Sequence, residues 1–164
     1  MKIHLVAFLI LNCFISLAQT QTAETSTEAD NAYSERSFLI IASTKNIKEA
    51  FTLANAASKK TGLKFRDNAL EKDTIAGATF PIDTCKTFGF EWPCYVARGR
   101  YDDGAYVSVE YSNAYTGFKK GYFIVIAANG HKENEEFNRA VKKIKQHYPK
   151  SYVKRTLVYF GCMH

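Results

Sequence analysis

The sequence predicts a single α+β domain of ferredoxin-like architecture, two strand–helix–strand units in series (β-α-β-β-α-β) forming an antiparallel sheet with two helices on one face and an inserted β-hairpin. Three observations predict it. Phe38–Ala42 and Tyr122–Ala128 are apolar at nearly every position, as strands covered on both faces must be. Each run is followed by a capped helical pattern and then a further strand-like stretch, so the second half of the chain repeats the first. Right-handed crossovers place both helices on the same side of the sheet, with the two apolar strands at its centre.

The first helix starts at Asn46, a capping residue with Glu49 three positions later as its reciprocal partner. Ile47, Ala50, Phe51, Ala54 and Ala57 recur at helical spacing. Lys59 and Lys60 suit the negative end of the helix dipole, and Gly62 suits the left-handed position that stops it. Leu63–Arg66 then begins a second strand. In the second unit Asn129-Gly130 turns the chain after the apolar run. A helix follows from about Asn134 to His147, striped by Phe137, Ala140, Val141 and Ile144 and ended by Pro149. A last strand, Tyr152–Phe160, closes the domain.

Between the units lies a long insertion, residues 67–120. Its first part, 67–93, has no periodicity and carries Gly77, Gly89, Pro81 and Pro93. Residues 94–112 read as a hairpin turning at Asp102-Asp103-Gly104. A three-residue loop pairs Tyr101 with Ala105, Arg100 with Tyr106, Arg98 with Ser108 and Val96 with Glu110. That register leaves one face apolar and gathers Arg98, Arg100, Tyr106, Ser108 and Glu110 on the other.

Residues 1–18 read as a secretory signal peptide: Lys2, an apolar run from Leu5 to Ile15, and small residues before a cleavage site between Ala18 and Gln19. The run is too short to span a bilayer, and no later segment is apolar enough to do so. Residues 19–35 carry four acids and no Lys or Arg, and read as a flexible leader ahead of a domain at 36–164. That domain holds 21 basic against 12 acidic side chains. The expected location is periplasmic or secreted, where a basic domain favours anionic partners and nucleic acid is not among them. Cys85, Cys94 and Cys162 are an odd number in a compartment that permits disulfides. The short loop Cys85–Cys94 is the first expectation and Cys94–Cys162 the second.

The aromatic-led strand ending in Ala42-Ser43, the Ala-rich helix and the Gly62-led second strand, with a looser echo over Tyr122–Val153, resemble the sporulation-related repeat (SPOR) family of bacterial envelope proteins. The resemblance covers about 60 residues of the chain. It implies a non-catalytic module that binds peptidoglycan glycan strands lacking stem peptides, through the sheet face opposite the helices.

The polar hairpin face is the candidate ligand-binding site. Two guanidiniums beside a carboxylate and hydroxyls suit a sugar or an anionic group, with Tyr115 and Tyr122 placed nearby for ring stacking. No catalytic residue, metal site or cofactor is predicted. Cys162-Met163-His164 lacks the further ligands a metal needs, His131 and His147 lack an adjacent nucleophile, and Asp102 and Asp103 are turn formers. The expected partners are a cell-wall glycan or another envelope protein. Two alternatives stand beside that reading. One is a protein-interaction or inhibitor module using the disulfide loop around Phe88, Phe90 and Trp92. The other is a small hydrolase built on Glu110.

Overall fold

The two uniformly apolar runs form the two central strands of one sheet. A computed structural model describes residues 32–161. In chain order these form β1 (Tyr33–Thr44), α1 (Ile47–Thr61), a short α2 (Ile82–Thr87), β2 (Gly104–Tyr111), β3 (Phe123–Gly130), α3 (Glu135–His147) and β4 (Tyr152–Tyr159). The fold is α+β, with four antiparallel strands in the order β2-β3-β1-β4. Every residue of β3 is buried, which is why its sequence shows no polar alternation until Asn129.

Both long helices pack on the side of the sheet presented by Phe123, Val125 and Ala127. α1 buries Ala50, Ala54 and Ala57 against Val107, Val109, Phe123 and Val125, and α3 buries Phe137 and Ile144 against Leu39 and Ala127. Three alanines in succession let α1 approach the strands closely. The Asn46 side chain caps α1 by accepting from the amides of Lys48 and Glu49, and Asn134 caps α3 in the same way. The Glu49 carboxylate does not reach back to Asn46; it accepts from the Thr44 hydroxyl. Gly62 ends α1 at φ +71°.

Three expectations about the strands need correction. β1 begins at Tyr33, inside the stretch read as leader, because Tyr33–Glu35 pair with Leu157–Tyr159. Leu63–Arg66 does not form a full strand; Phe65 makes a single parallel bridge to Val107 on the outer edge of β2. The 94–112 hairpin is absent too. Residues 104–111 enter the sheet as its edge strand beside β3, whereas 94–101 form no strand. Gly99, at φ +86° with its α-carbon against the Phe38 ring, turns that segment under the sheet. The insertion therefore supplies a core strand and a cover, and no separate hairpin.

The cover lies on the sheet face opposite the helices. Tyr115, Phe118, Ala97 and Tyr122 pack there on Phe38, Ile40, Ile124, Ile126 and Val158. Cys85 and Cys94 are disulfide-bonded, fastening α2 to the start of that covering segment. Cys162, the expected signal peptide at 1–18 and most of the stretch read as leader lie outside the described residues. No helix among the described residues is long and apolar enough to cross a membrane.

Candidate functional site

Four of the five predicted site residues converge, and they do so in the interior. Arg98 (4% exposed), Tyr106, Ser108 and Glu110 (1%) sit under β2 on the face opposite the helices. A guanidinium taken out of water is costly unless its nitrogens find acceptors, and here each of the three does. Arg98 Nη1 donates to the carbonyls of Tyr106 (2.9 Å) and Ile126 (3.1 Å) and to Ser108 Oγ (2.9 Å). Its Nη2 donates to Gly104 O (3.1 Å) and its Nε to Asn129 Oδ1 (2.6 Å). The β2–β3 ladder shifts register between Ala105 and Ser108, and the Arg98 side chain satisfies carbonyls at that irregularity. Asn129 passes the network on to the tip loop, donating to Asp102 O and Asp103 Oδ1.

Glu110 has different company from the expected one. No guanidinium lies within ion-pair distance of it among the described residues. Its Oε2 accepts from the Tyr95 hydroxyl, from the Tyr115 hydroxyl (3.2 Å) and from the Arg98 amide (3.4 Å). Burial raises its pKa above the ordinary carboxyl value against those hydrogen bonds, and raises the Tyr95 and Tyr115 pKa values well above the usual phenol. Burial also lowers the Arg98 pKa. Tyr115, expected to stack on a ligand, is fully enclosed and serves the carboxyl instead.

Arg100 leaves the group. It is buried, with Nη1 donating to Tyr159 O and Nη2 to Gly161 O, so it pins the end of β4. The reason is the turn at Gly99, which sends alternate arginines to opposite sides. Tyr122 lies at the far end of the sheet, between Lys45 and Lys119.

Above the network opens a cleft of about 400 Å³ whose floor is Val96, Arg98, Tyr106 and Glu110. The Tyr106 ring is sandwiched between two guanidiniums, Arg98 at 3.5 Å and Arg66 at 3.7 Å from its centroid. Its hydroxyl donates to Asp102 Oδ2 (2.7 Å), which is also paired with Arg66. Burial outweighs the neighbouring guanidinium and raises the Tyr106 pKa above the ordinary phenol value. The walls carry two exposed rings, Tyr101 (73%) and Phe88 (55%), together with Asp67 and Asn68. The arrangement offers the partly exposed polar groups of Arg66, Asp67, Asn68 and Asp102 and the aromatic faces of Tyr101 and Phe88, held over a floor whose own donors are engaged.

The hairpin register missed Tyr95, Asn129 and Arg66 as members of the site. Asn129 bore a signal, as the polar residue closing an otherwise apolar strand. Tyr95 and Arg66 bore none, since their roles depend on how the insertion folds back. No protein-family model matches the chain, and no curated protein or solved structure matches it.

Proposed function

We propose that this chain is an exported, non-catalytic binding module that takes a segment of cell-envelope glycan in the Tyr101–Phe88 cleft. The observation that carries the reading is the cleft itself. Two exposed rings stand at the mouth of a concavity whose floor is a buried, hydrogen-bonded polar network. Sugar rings present apolar faces for stacking and hydroxyls for directional hydrogen bonds, and Arg66, Asp67, Asn68 and Asp102 provide partners at fixed positions. The resemblance to the SPOR family, together with an antiparallel sheet that has β1 and β3 at its centre, supports a glycan as the ligand class. The ligand surface differs from the one that resemblance implies, because residues 97 and 115–122 occupy much of the sheet face opposite the helices.

Calorimetric titration with soluble peptidoglycan glycan chains, with and without stem peptides, tests it. Binding of the bare chains, reduced at least tenfold by Tyr101→Ala and unaffected by Lys142→Ala, is expected. Absence of binding to either chain ends the glycan reading.

A second reading has its own observation. Ile82, Phe88 and Trp92 are each about half exposed on the disulfide-pinned segment, as anchors for another protein would be. Capture of an envelope protein that is lost in Trp92→Ala but retained in Tyr101→Ala would favour that reading.

A further inference from the structure

One end of the sheet collects four lysines, with Glu49 as an exposed acid and Glu110 buried. Lys45 follows β1, Lys119 and Lys120 precede β3, and Lys154 is the third residue of β4, so the ends of three strands bring them together. The Lys45 and Lys119 ammonium groups lie 5.5 and 5.4 Å from the centroid of the Tyr122 ring, and that of Lys154 lies 4.5 Å from the Phe118 ring. None of them makes an ion pair among the described residues. The four ion pairs join Arg36, Arg66, Arg139 and Arg155 to acids elsewhere. Glu49, the acid that follows β1, is bonded to the Thr44 hydroxyl. The opposite end of the sheet holds the acids: Glu35 early in β1, Asp102 and Asp103 before β2, and Glu133, Glu135 and Glu136 after β3.

The lysines surround a shallow depression of about 290 Å³ lined by Ser43, Tyr122, Ile124 and Tyr152, with Lys119 and Lys154 among its walls. Tyr152 is about half exposed there. The positive groups are spread around rings and do not point at one spot. That spacing suits a plane of negative charge better than a single small anion. Tyrosine rings with one apolar and one polar end settle at the headgroup level of a bilayer, and nearby lysines gain from anionic headgroups.

We propose that this end of the sheet docks the protein on an anionic phospholipid surface. Lys45, Lys119 and Lys154 meet the phosphodiesters, and Tyr122 and Tyr152 sit among the headgroups. Asp102 and Tyr106 belong to the other end of the sheet, and Glu110, which pairs with Ile124, is buried with Tyr115, so docking leaves the Tyr101 and Asp102 part of the cleft open, and the two readings stand or fall separately.

Co-sedimentation of the full chain with phosphatidylcholine vesicles, with and without phosphatidylglycerol, tests the proposal. Binding is expected only with phosphatidylglycerol, weakening as salt rises. Lys45→Ala and Lys119→Ala each reduce it roughly fivefold, whereas Lys142→Ala and Lys143→Ala, which remove the same charge from the exposed side of α3, leave it within twofold. Tyr122→Leu, checked for folding by circular dichroism, weakens it with the lysines intact. Equal losses from all four lysine variants would reduce the effect to net charge and overturn the site, as would no binding to anionic vesicles. Displacement by glycerol phosphate at matched ionic strength would reassign the site to a free anion and overturn the membrane surface.

Discussion

The two sides of β2 are buried by different physics. On the helix side, α1 and α3 lay alanines, Phe137 and Ile144 on Val107, Val125, Ala127 and Leu39. That contact is non-directional and scales with apolar area. Under β2 on the other side, Arg98 directs its donors at three main-chain carbonyls and two side chains, and Glu110 is held by two tyrosines. Directional burial of this kind fixes one arrangement and tolerates the loss of no member. The difference bears on the cleft, whose floor is held in place by hydrogen bonds of fixed direction.

The largest expected effect tests that intolerance. Arg98→Met keeps the unbranched stem as far as the position of Nε and removes the donors, leaving the carbonyls of Gly104, Tyr106 and Ile126 without them; it should cost about 3–5 kcal/mol in urea unfolding. A loss under about 1 kcal/mol would mean that the two faces do not differ. Next, Ala54→Leu forces methyl groups between α1 and the sheet and should cost about 1–3 kcal/mol by overpacking, with the cleft unaffected.

The smallest effect is a slope. Glu110 has a folded-state pKa raised above its ordinary value of 4.5 by burial. Between those values the folded protein holds a proton that the unfolded chain releases. The stabilisation is therefore complete below 4.5 and is lost as pH rises through the raised value. Glu110→Gln has no proton to lose, so its stability relative to wild type should improve with rising pH, by at most about 1.4 kcal/mol per pH unit. Parallel stability curves for the two proteins would show that the carboxyl is ionised in the native state.

Much of the helix side was legible in the sequence. Phe38–Ala42 and Tyr122–Ala128 announce strands covered on both faces, Asn46 and Gly62 bracket α1, and the apolar spacing of α3 is regular. These are local signals, and local chemistry decided them. The other face was half legible. Alternation along β2 correctly grouped Tyr106, Ser108 and Glu110, because a strand's side-chain period holds whichever neighbour it pairs with. It misplaced residues 94–101, whose turn chemistry fits a hairpin and whose path was set by packing on Phe38 and by the guanidinium of Arg98. Polarity was read as exposure, and the structure shows the same residues buried, with Arg100 Nε the one of their buried side-chain nitrogens and oxygens that lacks a partner. The surface left to meet the proposed glycan is the shell around them: Tyr101, Phe88, Arg66 and Asp102.

Chemical-shift mapping with a soluble, bare peptidoglycan glycan chain separates the regions most directly. Glycan binding in the cleft predicts saturable shifts in the ring resonances of Tyr101 and Phe88 and in the amides of Asp67 and Asp102, with Tyr122 and Tyr152 silent. Shifts confined to Tyr122 and Tyr152, or none at saturating glycan, would contradict a site built on that constrained floor.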